Sequence, residues 1–505
     1  MKTLIYIGSS DKNSINAANE RIELGDEVTI VSCDNALGIC RDNYYGNKFF
    51  CRLCMQSNAN LWKDDFRKKG ANILYLSKLI TSEDKKTASD FILDYDNVKE
   101  LKSIVYKDVE IGYGAFSTYV SVTRNVMPDF TKSLKSYLNV LMRKEIEVIN
   151  VLDRIIREIH PELIILHNGR FAEFKPALGL AQKYKINYIT TEEVYYRDKI
   201  LKNNFTNAVV HDIEANYQKF LENWDAVDES EEQKIEIGKS FFEKRRNKIA
   251  AGDKVYTINQ QKELLPEGFK SGNEIISLFN SSEDEFCAVS TEYDSYMLFE
   301  NQYVALRTIF DHYKDDNTKH FYLRIHPHLK DVPYKSHTKL YDLEYDNVTI
   351  IPPSSPVDSY ALMDVSDKVI VFNSTMAVES SYWGKPVIEL NKYIWSLMNV
   401  VYTPQTVDEL WKLIDTPNLK CKYNSNCLKY AYWVLHPNSE EVKYVKNASV
   451  DINFFGIKLH QEHLFLQICG SVKLNSILRI LLTRKSVMKL LKPFTYFSEI
   501  PEKDI

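Results

Sequence analysis

What this 505-residue sequence lacks narrows it first. There is no surplus of positive charge: 64 Lys and Arg against 69 Asp and Glu leave a net charge of −5, which argues against broad nucleic-acid binding driven by counterion release. No run of about 18 apolar residues occurs, so no membrane-spanning helix is expected. The opening stretch MKTLIYIGSSDKN carries an apolar run too short for a secretory signal and turns polar at once. Without an export signal, the eight cysteines imply a reducing compartment, and the expected location is the cytoplasm. No low-complexity tract and no convincing internal repeat is found. The 32 tyrosines and 24 phenylalanines are scattered and do not interleave with a basic stripe.

What is present is a repeated alternation of strand and helix patterns. The chain exceeds the length at which one core stops growing, so two or three domains are expected. TLIYIG reads as a buried parallel strand, SINAANERIELG as a helix closed by Gly25, and EVTIVSC as the next strand. Leu134, Leu138, Leu141, Val148, Leu152, Ile155 and Ile159 recur at three- and four-residue spacing, which predicts one long amphipathic helix over 131–159. PELIILHN, RFAEFKPALGLAQKYK and INYITT continue the alternation, which implies a parallel sheet covered on both faces. The rhythm pauses in a charged helical stretch and resumes from NEIISLF to KPVIEL. The reading is α/β, with two Rossmann-like domains: 1–212, a helical bridge 213–264, a second domain 265–440, and a helical, basic amphipathic tail 441–505. Within the tail, LNSILRILLTRKSVMKLLKPF is apolar on one side and basic on the other. It either packs back on the protein or lies as a helix on an anionic membrane surface.

Three strand ends carry polar groups. In KVIVFNSTMAVESSYWGKPVIEL an apolar run stops at Asn373 and gives way to Ser374 and Thr375. In open α/β sheets ligands bind at the carboxyl ends of strands, where a helix start with hydroxyl caps attracts an anion. Glu379, one turn deeper, could accept from a ribose diol; the plainer alternative is a helix cap plus a surface glutamate. In FYLRIHPHLK, Pro327 forbids further ladder pairing and leaves His326 projecting from the strand end, suited to donate to a phosphate oxygen. In ISLFNSSEDE, Asn280, Ser281 and Ser282 stand at a third strand end. Together the three predict a nucleotide monophosphate or diphosphate site.

RIHPH followed by SYALMDVSDKVIVFNSTMAVESSYWGKPVIEL resembles the C-terminal half of two-domain GT-B glycosyltransferases. The nearest likeness is to bacterial capsule and surface-polysaccharide enzymes, with a weaker likeness to CDP-glycerol glycerophosphotransferases. The resemblance implies that His326, Ser374 and Thr375 hold donor phosphates and that Glu379 contacts the nucleoside. In the N-terminal half it rests on ILHNGRFAEFKPA and TTEE, where the family's glutamate-arginine-glycine reads Glu192-Glu193-Val194. It implies that the two domains face each other, with acceptor and general base on the first and donor on the second. Glu192 and then His167 are the candidate bases, Asn168, Gly169 and Arg170 the candidate acceptor ligands, and Lys385 a further phosphate contact. IGYGAFSTYVSVTRN (111–125) lacks the full dinucleotide spacing and is read as an acceptor loop.

The implied activity is inverting transfer of a sugar, without a required metal, from a nucleotide-sugar donor to a glycan or glycolipid acceptor of a growing surface polysaccharide. Three other readings stay open: a polyol-phosphate transferase, a sugar-nucleotide 2-epimerase, for which further cleft carboxylates are not placed, and a non-catalytic scaffold of an assembly complex. Cys33, Cys40, Cys51 and Cys54, the last two in a C-x2-C pair, are open to three readings: a structural zinc site, reduced buried thiols, or a redox pair.

Overall fold

The computed structural model describes residues 1–7, 12–44, 46, 48, 51, 62–196, 199–251, 255–330, 332–437, 439–442, 452–454 and 457–459. The first sheet collects β1 (Lys2–Ile7), β2 (Glu27–Ser32), β3 (Asn72–Tyr75), β4 (Leu163–His167) and β5 (Asn187–Thr191). A short ribbon follows, β6 (Val194–Tyr196) with β7 (Lys199–Leu201), and then β8 (Asn204–Thr206) closes the sheet edge. The order is β3-β2-β1-β4-β5-β8, parallel except for β8. The second sheet is wholly parallel: β9 (Glu274–Phe279), β10 (Lys319–Arg324), β11 (Val348–Ile351), β12 (Lys368–Val371) and β13 (Val387–Glu389), in the order β11-β10-β9-β12-β13. Each sheet starts from a central strand and builds outward first one way and then the other. The reversal falls between β1 and β4 in one sheet and between β9 and β12 in the other, where a crevice opens at the carboxyl ends.

The sheets form because their strands are apolar on both faces. β1 and β2 each bury five of six residues, and β4 buries all five. Helices cover them: α1 (Lys12–Glu23), α2 (Ile111–Thr123), α3 (Lys132–Ile159) and α4 (Lys175–Lys183). The periodic leucines and isoleucines of 131–159 do form one helix, α3. It starts at Thr131, whose side chain accepts from Leu134 N, and stops at His160, which turns left-handed at φ 49°. The stretch read as an acceptor loop is instead the buried helix α2. Its apolar residues occupy every face, and its glycines let neighbours approach: a Cβ on Gly112 would lie 1.7 Å from Leu101 O.

The charged helices α5 (Ile213–Ala226) and α6 (Glu231–Arg246) sink Phe220, Phe241 and Phe242 into the core of the second lobe. The segment after β9, including α7 (Thr291–Asp294), runs the other way. Cys287 and Ala288 pack into the first lobe's core. Lys175 donates to Val289 O at 3.1 Å, and Tyr113 and Lys102 both meet Asp294 Oδ2, at 2.9 and 2.7 Å. The carboxyl ends of the two sheets therefore face each other. The order continues with α8 (Met376–Tyr382) after β12 and with α9 (Asn426–Leu435), which packs on α6. The chain then returns to the first lobe, where Val442 N donates to Ile200 O at 2.8 Å.

The expected helical tail needs correction where it can be seen: Ile452–Phe454 and Ile457–Leu459 pair as antiparallel strands. Its basic stretch, 474–494, lies outside the described residues. Among the described residues no helix is long and apolar enough to cross a membrane.

Candidate functional site

A cleft of about 250 Å³ opens at the carboxyl ends of β9, β10 and β12. The structure brings to it all nine residues predicted at the donor site: Asn280, Ser281 and Ser282 beyond β9, His326 and Pro327 beyond β10, and Asn373, Ser374, Thr375 and Glu379 at β12 and α8. Residues far apart in sequence thus share one wall.

The hydrogen bonds inside this wall have a common direction. His326 Nδ1 accepts the backbone N–H of His328 at 3.1 Å. A neutral ring with Nδ1 accepting carries its proton on Nε2. Burial, with help from the neighbouring His328 and Arg324, pushes the His326 pKa down to about 4, so the ring is neutral near pH 7. Asn280 Oδ1 accepts His326 N–H at 2.7 Å, which leaves the amide NH2. Gln302 grips Ser281 twice: its Oε1 accepts Ser281 N–H at 3.1 Å and its Nε2 donates to Ser281 Oγ at 3.0 Å. Ser374 Oγ accepts from Met376 N at 3.3 Å, and Thr375 Oγ1 accepts from Arg245 Nη2 at 3.3 Å. In each case the protein uses the acceptor and leaves a proton. Ser282 and Asn373 run the other way: the Ser282 hydroxyl donates to Asp284 Oδ1 at 2.5 Å, and Asn373 Nδ2 donates to the Tyr293 hydroxyl at 3.4 Å.

Glu379 is fully buried, and both its oxygens are engaged. Oε1 pairs with Arg245 Nε at 3.0 Å, and Oε2 accepts from the Tyr360 hydroxyl. A ribose diol would have to share these oxygens, so in this arrangement the carboxylate holds Arg245 and Tyr360 against the wall. Lys385 is placed elsewhere. Its Nζ donates to Asp364 O and Ser366 O, the latter at 3.0 Å, before the amino end of β12 and away from the cleft. Arg324, buried at the end of β10, donates to Pro352 O at 2.7 Å and Ser355 O at 3.2 Å and orders the loop after β11.

Across the gap, the first lobe assembles the second predicted group. His167 ends β4, and its Nε2 lies 3.9 Å from Glu192 Oε1, outside hydrogen-bond reach. Asn168 turns left-handed at φ 49° and donates through Nδ2 to Glu192 Oε2. Gly169 follows at φ 91°, where a Cβ would meet Leu178 Cδ2 at 2.8 Å, so this turn needs glycine. Arg170 does not project freely toward an acceptor: Nη1 donates to Glu285 O at 2.7 Å, and the guanidinium sits 4.7 Å from the centre of the Phe171 ring. Glu285 also lines the cleft of the second lobe, so Arg170 ties the two strand-end groups together. Nearby Glu173 is 2 % exposed, and burial, opposed by Arg41 and helped by Asp42, pushes its pKa up to about 7.

Of the four cysteines singled out, Cys33, Cys40 and Cys51 lie among the described residues. Cys51 Sγ receives Asn43 Nδ2 at 3.1 Å and lies 3.9 Å from Gly38 O. Cys33 packs against the first core, and burial pushes the Cys40 thiol well up. Cys54 lies outside the described residues. Among the described residues no group of three or more His, Cys, Asp or Glu side chains is placed to hold a metal ion.

Sequence reasoning missed Arg245, Tyr360, Arg324 and Gln302. Arg245 was hidden in the charged run EKRRNK, yet helical phase reveals it: Lys234, Gly238 and Phe241 form the buried stripe of α6, and Arg245 continues it.

No family model matches this chain, and no curated protein does. Solved structures to which it is similar include KpsC of Thermosulfurimonas dismutans, a β-Kdo 2,4 transferase, at 14% identity and a TM-score of 0.33, covering 54% of this chain and 79% of that one. Another is UDP-GlcNAc 2-epimerase from Neisseria meningitidis bound to UDP-GlcNAc, at 14% identity and a TM-score of 0.25, covering 89% and 97%. A third is CalG4, the calicheamicin glycosyltransferase, at 10% identity and a TM-score of 0.22, covering 86% and 94%. Likenesses this loose carry no argument about chemistry, and the two-sheet α/β plan rests on the strand orders given above.

Proposed function

We propose that this chain is a glycosyltransferase of GT-B plan, moving a sugar from a nucleotide-sugar donor to a growing surface polysaccharide. One observation carries the reading: Asn280, Ser281, His326, Ser374 and Thr375, at the ends of β9, β10 and β12, each have an acceptor atom occupied and a proton left over. A wall of donors is complementary to a ligand rich in acceptors, which is what the oxygens of a phosphate are. Asn280, Ser281, His326, Ser374 and Thr375 are the proposed ligands of the donor phosphate, with Arg245, paired to Glu379, holding the Thr375 hydroxyl from behind.

In the proposed reaction Glu192 takes the proton of the acceptor hydroxyl, oriented by Asn168 and with His167 close by. The oxygen's electron pair forms the new bond to the anomeric carbon from the side opposite the phosphate. The bond to the phosphate oxygen breaks, and its charge falls on the donors of the cleft. Configuration at the anomeric carbon inverts. This stabilisation is proposed to work without a divalent metal, so transfer should persist in EDTA.

Thermal unfolding of the full chain with UDP-, GDP-, CMP- and CDP-linked compounds tests the reading. A ligand at a hundredfold excess over Kd adds about 2.7 kcal/mol of stability. Stabilisation by a nucleotide sugar, with release of the free nucleotide on adding a glycan acceptor, is the expected result. Stabilisation by CDP-glycerol alone would move the assignment to polyol-phosphate transfer, and no stabilisation by any of them would refute the donor site.

A further inference from the structure

Glu389 has no part in the reaction outlined above, yet its place is unusual. It ends β13 beside β12 and is fully buried, between Ile388 and Leu390, which are buried as well. Its Oε1 accepts the backbone N–H of Asn373 at 3.1 Å. Asn373 is where the chain leaves β12 in the left-handed region, at φ 51°, before Ser374 and Thr375 enter the cleft. Asparagine is among the few non-glycine residues that tolerate that conformation, and here the buried Glu389 carboxyl bonds the N–H of the same residue. The Asn373 side chain donates through Nδ2 to the Tyr293 hydroxyl at 3.4 Å.

Two buried atoms of this pair have no hydrogen-bond partner, Asn373 Oδ1 and Glu389 Oε2. Burial pushes the Glu389 carboxyl well above its ordinary range and favours its protonated form, opposed by the Asn373 N–H. A proton on Oε2 makes that oxygen a donor, the complement of the carbonyl oxygen that Asn373 leaves unmet. A leucine would fill such a place without the cost of burying a polar group.

We propose that Glu389 is a positioning residue of the cleft: it fixes the left-handed turn at Asn373 and thereby aims the hydroxyl groups of Ser374 and Thr375 at a bound phosphate. The aim toward phosphate rests on the donor-cleft reading; the hold on the turn does not. Full-length Glu389→Gln and Glu389→Leu chains separate the two. Glutamine offers the same acceptor and a donor in place of the acid proton, so it should bind UDP and CMP within about twofold of the unmodified chain. Leucine should weaken binding about tenfold or more, the size of one lost hydrogen bond or above. It should also speed hydrogen exchange at the Asn373 amide by a similar factor, a change that glutamine should not produce.

Where the leucine chain does not fold, Glu389→Asp takes its place: it keeps the acid, shortens its reach, and is expected to behave as leucine would. Unchanged exchange at Asn373 in the leucine or aspartate chain, or equal losses in glutamine and leucine, overturns the inference. If the unmodified chain binds neither UDP nor CMP, the donor reading is what fails, and exchange at Asn373 still decides the role of Glu389.

Discussion

Replacing His326 by alanine gives the sharpest test of the cleft. In the folded chain the ring is neutral near pH 7, because its pKa is about 4, and its Nδ1 is occupied by His328 N–H. Only the Nε2 proton is left for a ligand. A hydrogen bond to a charged group is worth about 1.5–3 kcal/mol, so alanine should weaken nucleotide binding about 10- to 150-fold, readable by titration calorimetry at pH 7.5. The cost to folding is smaller: one turn hydrogen bond, about 0.5–1.5 kcal/mol.

The pH dependence has a definite sign. A histidine whose folded pKa lies below its unfolded value of 6.5 binds fewer protons in the folded state. The native chain therefore loses stability as pH falls below about 6.5, and the loss levels off near 4 at roughly 3 kcal/mol. The alanine chain lacks this penalty, so its deficit relative to the unmodified protein should shrink, or reverse, between pH 7.5 and pH 5. Unchanged nucleotide affinity in the alanine chain, or a stability difference that does not move with pH, would refute the reasoning.

Three further outcomes are expected. Arg245→Met strips the partner from a carboxylate that is fully buried and should cost about 3–5 kcal/mol in chemical unfolding, whereas Arg245→Met with Glu379→Met should cost much less than the sum of the single changes. Glu192→Gln should reduce sugar transfer by about a hundredfold or more while leaving nucleotide binding unchanged, as measured by turnover beside calorimetry. Glu173, with a folded pKa of about 7, costs the native state nothing below about 4.3, a growing amount as pH rises from there to about 7, and a constant amount above, so Glu173→Gln should raise the melting temperature at pH 8 and leave it unaltered at pH 4.

Much of the fold could be read from the sequence, because buried parallel strands are uninterrupted apolar runs and need no partner to be recognised. LIILH and KVIV are plain on that ground, and so is the 3.6-residue period of α3. The cleft was legible for the same reason: Asn280, His326 and Asn373 stand where an apolar run stops. What could not be read was the far end of each contact. Arg245 meets Glu379 across 134 residues, and nothing local in EKRRNK points there. Arg170 was assigned to an acceptor by its strand-end position, but tertiary packing aims it at Glu285 O in the opposite lobe. In IGYGAFSTYVSV the glycines suggested a loop, whereas packing against Leu101 and Glu145 required small residues within a helix. Glycine's permissiveness and its smallness look alike in a sequence, and only the neighbours tell them apart.

The segment that leaves β9 for the first lobe's core has a consequence for anyone who cuts this gene in two. A fragment beginning at β9 would carry Cys287 and Ala288 stripped of the side chains that bury them. In the complementary fragment Lys175 would lose its bond to Val289 O and Tyr113 its bond to Asp294. A chimera that exchanges first lobes while preserving the chain's connectivity must therefore graft residues 283–294 with the donor of the new lobe, even though they belong by sequence to the other half.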